Sequence, residues 1–274
     1  VRREGEKLRR YVHLSTGNYH PSTAKRYTDI GLFTADRDIA EDASALFNLL
    51  TGYSQGHQWR KVVVAPDDLQ RRTLDLIQEQ TNLAREGKPS RIFAKLNALV
   101  DRKAIEALYR ASQAGVPIDL IVRGICCLRP GMPGISENIR VRSIVDRFLE
   151  HSRIFVFGDG EDAQVFLSSA DWMPRNFYRR VEAMFPMENK DIRARILLEI
   201  VPVYLRDNIK ARELLSDGTY RRISPQDDEL HFRAQQELLH LHEQYHPDDA
   251  SPASANYSVA SPEHAEHTDH PKHS

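Results

Sequence analysis

The middle of the chain alternates short apolar runs with segments whose hydrophobic positions recur every three to four residues. The apolar runs are typical of buried strands, and the longer periodic segments are typical of amphipathic helices. Gly87 closes the first helical segment, while Asp101 caps the second and Gly115 ends it. The predicted order is strand, helix, strand, helix, strand, at residues 62–65, 67–86, 92–96, 101–114 and 118–122. This order predicts an α/β fold with a mixed, largely parallel sheet covered by helices.

The flanking segments carry strand and helix signals of the same kind. A helix is predicted from its cap, Asp36, to Leu50, with Gly52 as its stop. A later helix is predicted from 191 to about 204, where Pro202 shortens or kinks it. Residues 53–60 are expected to be a linker. Further strands are predicted at residues 8–14, 29–33, 154–157, 165–168 and 181–185.

The pattern divides the chain into three segments, 1–56, 57–223 and 224–274. The chain begins at Val1 rather than at a methionine, and its first residues read as one hairpin cut near its first strand. We therefore expect the first segment to be the C-terminal part of a truncated domain. The last segment predicts a polar helix to about residue 245, followed by a disordered acidic tail that cannot bury a core. Four histidines of this tail recur at every third position: His264, His267, His270 and His273. They could capture a metal ion, or they could simply be part of an unstructured polar tail.

The net charge of −1 hides a strong asymmetry. Residues 225–274 contain ten acidic and two basic residues, which leaves 29 acidic and 36 basic residues in 1–224. The first 224 residues therefore carry +7 and the last fifty carry −8. A basic body favours anionic ligands, although many of its arginines could equally solvate helix faces.

The two cysteines, Cys126 and Cys127, are adjacent in the sequence. Neighbouring cysteines rarely pair with each other, so a reducing compartment is expected. A buried pair of small residues is favoured over a redox or metal site. No apolar run in the sequence is long enough to span a bilayer. We expect a cytoplasmic protein, or one peripheral to a membrane.

Two separate stretches combine a histidine with small hydroxyl residues and a side-chain amide or carboxylate. His13 precedes the loop Ser15-Thr-Gly-Asn18. His151 and Arg153 are predicted on one strand, with their side chains on one face, before the loop Ser168-Ser-Ala-Asp171. Imidazole can act as a nucleophile or an acid, and guanidinium binds phosphate oxygens. The set therefore indicates phosphoryl chemistry in a site made of two related halves, although a purely structural role of either histidine stays open.

Arginines follow the strands that would carry this site. Arg123 comes at the end of a strand, which is where ligands bind in α/β sheets. Arg175, Arg179 and Arg180 lie in what reads as a loop after Trp172. If they lay beside His151 they would form a phosphate clamp, and otherwise they would solvate the surface.

Several long motifs, in the same order along the chain, resemble the C-terminal half of bacterial polyphosphate kinase. The resemblance covers about residues 1–223. The motifs that carry it are His13-Leu-Ser-Thr-Gly-Asn-Tyr19, Ala24-Lys-Arg-Tyr-Thr-Asp29, Leu46-Phe-Asn-Leu-Leu-Thr-Gly-Tyr53, Ile121-Val-Arg-Gly-Ile-Cys-Cys-Leu-Arg-Pro130, Ser136-Glu-Asn-Ile-Arg140, Ser143-Ile-Val-Asp-Arg-Phe-Leu-Glu-His151 and Ser168-Ser-Ala-Asp-Trp-Met-Pro-Arg-Asn176.

The resemblance implies a fold, an activity and roles for five residues. The fold would be two phospholipase D-like domains, with 1–56 belonging to the first and 57–223 forming the second. The activity would be reversible transfer of the terminal phosphate of ATP to inorganic polyphosphate through a phosphohistidine. Tyr27 would contact adenine, Arg123 and Arg180 the phosphates, and His151 would be the acid or phosphate-contacting partner. His13 matches a histidine that is functionally important in the family without being the phosphorylated one.

The resemblance also implies what this sequence lacks. The phosphorylated histidine, in a Lys-Thr-His-x-Lys motif, and the arginines associated with Mg²⁺ would lie before Val1. The isolated chain is therefore expected to be inactive and to contain no metal ligands of its own. The expected partners are ATP or ADP and polyphosphate, with a homo-oligomer when full length, and no nucleic acid. Two alternatives remain: a noncatalytic fragment that binds nucleotide or polyphosphate, and a phospholipase D-like phosphodiesterase.

Overall fold

Short apolar runs form the central strands of a nine-stranded sheet in the computed structural model, which describes residues 1–52 and 58–244. The strands at 92–96 and 118–122 have the predicted bounds, and those predicted at 62–65, 154–157 and 165–168 differ by one residue at most. The strands are β1 Arg2–Glu4, β2 Lys7–Arg9, β3 Val12–Ser15, β4 Tyr27–Thr28, β5 Gly31–Thr34, β6 Val63–Ala65, β7 Ile92–Leu96, β8 Ile118–Val122, β9 Ile139–Ile144, β10 Leu149–Glu150, β11 Arg153–Phe157, β12 Gln164–Ser168, β13 Glu182–Pro186, β14 Ala211–Leu214 and β15 Tyr220–Arg222.

The α/β class and the mixed sheet are confirmed, but the sheet is not largely parallel. Its order is β15-β14-β9-β8-β7-β11-β12-β13-β6. Only β7 with β8 and β8 with β9 pair in parallel within it. The other neighbours pair antiparallel. For β11 with β12 and β14 with β15 the reason is local, because a short connection can only join antiparallel strands, whereas parallel pairing needs a long crossover. The strand–helix–strand order of residues 62–122 indicated more parallel pairing than there is, since β6 leaves its sequence neighbours and pairs with β13 at the far edge.

Capping residues mark the ends of several helices. Asp36 accepts a hydrogen bond from the Ile39 amide at 3.0 Å, and Asp101 accepts one from Ala104 at 2.9 Å, as expected of N-caps. Gly87 and Gly115 adopt φ of 69° and 92° just past two helix ends. The helices are α1 Pro21–Ala24, α2 Arg37–Leu50, α3 Leu69–Arg85, α4 Arg102–Gln113, α5 Pro174–Arg179, α6 Lys190–Arg195, α7 Val201–Arg206 and α8 Ala234–Gln244.

Pro202 changes the helix predicted over 191–204 without ending it. A π-helical turn over Ile196–Ile200 joins α6 to α7, and Pro202 stands in the first turn of α7. Proline lacks the amide hydrogen and its ring crowds the carbonyl four residues before it, so the preceding turn widens.

Each face of the sheet is covered by helices. Helices α3 and α4 pack Leu76, Ile77 and Leu108 on one face, and α7 packs Val203 and Tyr204 on the other. The alternation of side chains along β7 supplies both cores, since Ile92 faces the first and Phe93 the second.

The strands of the first segment form three two-stranded pairs that are separate from the nine-stranded sheet. Strands β1 and β2 form the predicted hairpin, in which Gly5 turns the chain with φ of 62°. β3 pairs antiparallel with β5, while β4 pairs in parallel with β10, which immediately precedes His151. The strand predicted over 8–14 is therefore two strands, β2 and β3, in two different pairs.

The polar helix predicted from residue 224 begins only at Ala234. Its first amide donates to the Asp207 carboxylate at 2.8 Å, so a residue that directly follows α7 sets where it starts. The predicted tail at 246–274 and residues 53–57 of the predicted linker lie outside the described residues. Within 1–52 and 58–244, none of the helices combines the length and apolar character needed to cross a membrane.

Candidate functional site

The His151 imidazole is held by a carboxylate from the first segment of the chain. Its Nδ1 atom lies 3.0 Å from both carboxylate oxygens of Asp29, which is 122 residues away in sequence. The side chains of His151 and Asp29 are 11% and 20% exposed, so the pair is largely buried. A carboxylate on Nδ1 favours the tautomer that is protonated there, and Nε2 is then the ring atom that can exchange a proton.

The Ser15-Thr-Gly-Asn18 loop shapes the position of Asp29. The Thr16 hydroxyl donates to Asp29 Oδ1 at 2.7 Å and accepts from the Ile30 amide at 3.1 Å. A Cβ on Gly17 would stand 2.2 Å from Asp29 Oδ2, so only glycine lets the carboxylate occupy this place. The small-residue loop predicted as functional therefore holds the Asp29 carboxylate in place, through the Thr16 hydrogen bond and the close contact with Gly17.

Arg153 lies beside His151, as the spacing predicted, although β11 begins at Arg153 and His151 stands before it rather than on the same strand. Arg153 Nη1 lies beside both ring nitrogens of His151, 3.1 Å from Nε2 and 3.3 Å from Nδ1, and it donates to the Thr16 carbonyl at 2.9 Å. The guanidinium is fixed by Asp171, whose two carboxylate oxygens accept from Nε and Nη2 at 3.2 and 3.1 Å. The pair is buried, and a paired fork of this kind holds the cation in one orientation.

Arg123 and Tyr27 adjoin the same histidine. Arg123 Nε donates to Asn97 Oδ1 at 3.1 Å and to the Glu150 carbonyl at 3.0 Å. The Tyr27 ring is 4.8 Å from the His151 ring, with 45° between their planes. Asn97 ties the group together, because its side-chain amide donates to the His151 carbonyl at 3.3 Å and its backbone amide to Asp171 at 2.7 Å.

His13 and Arg180 have different surroundings. His13 Nδ1 lies 2.9 Å from the Tyr19 hydroxyl, and its ring packs 4.4 Å from the Phe33 ring. Arg180 has a side chain that is 55% exposed, with Nη1 4.0 Å from Glu182. Arg175 and Arg179 are both exposed on α5, which is a helix where the sequence indicated a loop. The described contacts thus unite His151, Arg153, Arg123 and Tyr27, and they place His13 and Arg180 with other neighbours.

The structure repeats one strand–loop–strand unit, which the sequence predicted as two related halves. β3 and β5 carry the first copy, and β12 and β13 carry the second, offset by 153 residues (169 − 16 and 182 − 29). In the first copy the Thr16 hydroxyl donates to Asp29, and in the second the Ser169 hydroxyl donates to Glu182 at 2.5 Å.

The backbone bonds of the two copies also agree. Thr16 N donates to Ile30 O at 3.0 Å, as Ser169 N does to Ala183 O at 3.0 Å. The return bonds from Ile30 and Ala183 to the hydroxyl oxygens are both 3.1 Å. Glu182 is therefore the structural counterpart of Asp29, and Arg180 is the counterpart of Tyr27.

The sequence reasoning missed Asp29, Asn97 and Glu182 as parts of the site. A signal for two of them is present in the sequence, because a hydroxyl residue of each loop is followed thirteen positions later by an acid. Asn97 carries no such signal, since only the pairing of β7 with β11 brings it to His151.

Family models and similar proteins of known name all point to one protein family. The model of polyphosphate kinase C-terminal domain 1 matches residues 1–56, and that of C-terminal domain 2 matches residues 62–235. A polyphosphate kinase of Thermosynechococcus vestitus is 53% identical over 225 residues, which are 82% of this chain and 31% of that protein. One from Pseudomonas aeruginosa is 50% identical over 239 residues, 87% of this chain and 34% of that protein. The chain thus spans about a third of the length of these curated relatives.

The fold matches a solved relative as well. The crystal structure of polyphosphate kinase from Porphyromonas gingivalis aligns with a TM-score of 0.82 and 41% identity. The alignment covers 89% of this chain and 37% of that one.

Proposed function

The chain belongs to the polyphosphate kinase family, and from this membership we propose that it forms the C-terminal part of an enzyme that reversibly transfers the terminal phosphate of ATP to inorganic polyphosphate. The observation that carries the proposal is the contact of His151 with Asp29 beside the fixed guanidinium of Arg153. An imidazole oriented by a carboxylate on one nitrogen can exchange a proton through the other, and the neighbouring guanidinium offsets the charge of a phosphoryl group there.

The reaction we propose has two displacements on phosphorus. A histidine nitrogen supplied from outside this chain forms a bond to the γ-phosphorus of ATP, while the bond to the β–γ bridging oxygen breaks and ADP leaves. A terminal polyphosphate oxygen then attacks the phosphohistidine, which lengthens the polymer by one phosphate and frees the imidazole. His151 exchanges a proton with the oxygen that leaves or attacks, and the arginines offset the charge of the outer oxygens.

Tyr27, Arg123, Arg180 and His13 keep the roles that the resemblance implies. The Tyr27 ring, half-buried beside His151, offers a face on which adenine would stack. Arg123 uses Nε for its protein contacts, which leaves its terminal nitrogens for phosphate. The exposed guanidinium of Arg180 is available to phosphate oxygens too. For His13, neighbouring Tyr19 and Phe33, we propose a supporting role in the first half of the site.

Glu182 is where we propose that the phosphorylated histidine is held. It occupies in the second repeat the place that Asp29 occupies in the first, and there Asp29 contacts the imidazole of His151. Each half of the site would then contribute a histidine to the carboxylate of the other half.

Magnesium remains a proposal. Within 1–52 and 58–244, no three histidine, cysteine or acidic side chains are grouped so that they could hold a metal ion. We propose that the ligands of Mg²⁺ lie outside this chain, as the family resemblance implies. Homo-oligomerisation, absence of nucleic-acid binding, and a cytoplasmic or membrane-peripheral location are likewise proposed from the family resemblance.

The test is a chimera in which residues 1–235 replace the matching third of the Thermosynechococcus vestitus protein. We expect it to synthesise polyphosphate from ATP, and His151→Ala to lower turnover by roughly 10²–10⁴-fold, the range for a lost acid–base group. His231→Ala is the matched control, because His231 is an exposed histidine outside the site. Normal turnover of a folded His151→Ala chimera would contradict the proposal.

The 274-residue chain assayed alone separates the alternatives. We expect it to bind polyphosphate without extending it. Robust synthesis of polyphosphate by the pure chain would refute the proposal that the phosphorylated histidine lies outside it. Hydrolysis of a phosphodiester without ATP would instead favour a phosphodiesterase.

A further inference from the structure

The start of α8 contacts the segment that leads into His151 at alternating residues. The Arg233 guanidinium donates two hydrogen bonds to the Asp146 carboxylate, from Nε at 2.7 Å and from Nη2 at 2.5 Å. Burial opposes ionisation of Asp146, yet these bonds hold its pKa below the ordinary value. The first contact is therefore a charge-assisted, two-point attachment.

Gln235 makes the next two contacts. Its amide group pairs with the backbone of Phe148, accepting from N–H at 3.0 Å and donating to C=O at 2.8 Å. The same Nε2 donates to Glu150 Oε1 at 2.7 Å. The Gln235 side chain thus makes hydrogen bonds with the backbone of Phe148 like those of a neighbouring strand, and it also holds Glu150, immediately before His151.

Glu150, which Gln235 contacts, is itself bonded to residues of the core. Its Oε2 atom accepts from Lys95 Nζ at 3.0 Å and from the Thr28 hydroxyl at 3.1 Å. The Lys95 and Glu150 side chains are 2% and 1% exposed. Burial lowers the pKa of Lys95 and the Glu150 carboxylate opposes that shift.

Lys95 also holds the residue on the other side of His151. Its Nζ donates to the Ser152 hydroxyl at 2.8 Å and to the Ser152 carbonyl at 3.1 Å. The residues before and after His151 are therefore tied to one buried ammonium group. The histidine backbone between them has little freedom, because Asn97 holds its carbonyl as well.

We propose that Arg233 and Gln235 at the start of α8, acting through Glu150 and Lys95, position the His151 imidazole on Asp29. None of the four side chains is catalytic in this proposal, since each acts through the backbone on either side of the histidine. A role in stability alone would be a poor explanation of the arrangement, because a buried ion pair often contributes little net stability against apolar residues of the same size.

The ring geometry of His151 tests the proposal without any substrate, so the outcome is independent of the phosphotransfer proposed above. The 274-residue chain is labelled with ¹⁵N-histidine, and the ring signals of His151 are assigned by their loss in His151→Asn. Gln235→Met removes the three hydrogen bonds at nearly equal size. Gln236→Met, at the exposed position next to it, is the matched control.

We expect the parent chain and Gln236→Met to show the tautomer protonated on Nδ1. In Gln235→Met the two ring nitrogen shifts should move toward each other by more than a linewidth, since the ring then samples both tautomers. Ring signals that stay at the parent positions while the melting temperature falls would overturn the proposal, because α8 would then serve stability only. If Gln235→Met does not fold, Arg233→Lys, which keeps the charge but loses the two-point contact, is judged by the same shifts. Loss of folding in both variants would also overturn it.

Discussion

At the residue scale, the chemistry of the site depends on which group meets each nitrogen of His151. Asp29 contacts Nδ1, while Arg153 Nη1 lies 3.1 Å from Nε2 and 3.3 Å from Nδ1. A carboxylate on one nitrogen defines the tautomer of an imidazole and leaves the other nitrogen to exchange a proton. Asp29 is therefore as important to the expected chemistry as the histidine itself.

Replacing Asp29 tests that conclusion. In the Thermosynechococcus chimera we expect Asp29→Asn to lower turnover by roughly 10²-fold, because the neutral amide no longer stabilises the charged imidazole. Asp75→Asn, at an exposed position of α3, is the control and should retain parent turnover. Equal turnover of the two variants, both folded, would show that the carboxylate has no part in the reaction.

The two cysteines provide a second prediction at this scale. The structure contradicts the expected buried pair, since Cys127 is exposed and only Cys126 is partly buried. Burial raises the pKa of the Cys126 thiol to about 11 from 9.0. At pH 8 this shift leaves roughly 10²-fold less thiolate than an ordinary thiol has, and thiolate is the reactive form.

We therefore expect iodoacetamide to label Cys127 far faster than Cys126 at pH 8. A time course followed by peptide mass spectrometry measures both rates in one sample, and Cys127 serves as the internal reference. Similar rates at the two positions would contradict the burial of Cys126.

At the element scale, the two copies of the strand–loop–strand unit differ in what their acid contacts. Asp29 of the first copy contacts His151, while Glu182 of the second accepts from Ser169 and from Asn176, each at 2.5 Å. The equivalence of the elements, more than any single contact, supports a histidine partner for Glu182.

We expect Glu182→Gln in the chimera to reduce formation of phosphohistidine from γ-labelled ATP by roughly 10²-fold, because the nucleophilic imidazole loses its carboxylate partner. Glu161→Gln, in the exposed turn between β11 and β12, is the control. The acid-labile label on the protein is the direct measurement. Full labelling of a folded Glu182→Gln chimera would rule out the equivalence.

At the scale of the whole molecule, charge separates the folded body from the end of the chain. Residues 246–274 contain five acids and one lysine, a balance of −4, while the whole chain carries −1. The sequence alone predicted only a polar helix and a tail after residue 224. The contacts of Arg233 and Gln235 with residues 146–150 attach the start of α8 to the segment that precedes His151. The part of the chain that supports the site therefore extends beyond residue 224.

We expect the body to bind polyphosphate, and a rise from 50 to about 300 mM salt to weaken binding by about tenfold or more as charges are screened. Truncation after residue 245 should leave the affinity equal or higher, since the removed segment repels a polyanion. Truncation after 224 is the contrasting variant and should weaken binding. Titration of labelled polyphosphate measures all three proteins, and salt-independent binding would contradict the electrostatic account.

The sequence by itself determined the local elements and the residue types of the site. Hydrophobic periodicity, the caps Asp36 and Asp101, and the glycines after α3 and α4 act over a few residues, so their effect can be read along the chain. The motifs around His151 and Arg153 were identified in the same way, and the families matched agree with the resemblance they carry. The roles of Tyr27, Arg123, Arg180 and His13 stay predictions.

Only the tertiary structure decided which groups meet. Asp29 reaches His151 across 122 residues because β4 pairs with β10, and such pairing depends on the packing of the whole sheet rather than on local preference. The same holds for the antiparallel strands that replaced the expected parallel ones, and for the attachment of α8 to the segment before His151. Contacts between distant segments are set by the joint burial of both cores, which no short stretch of sequence specifies.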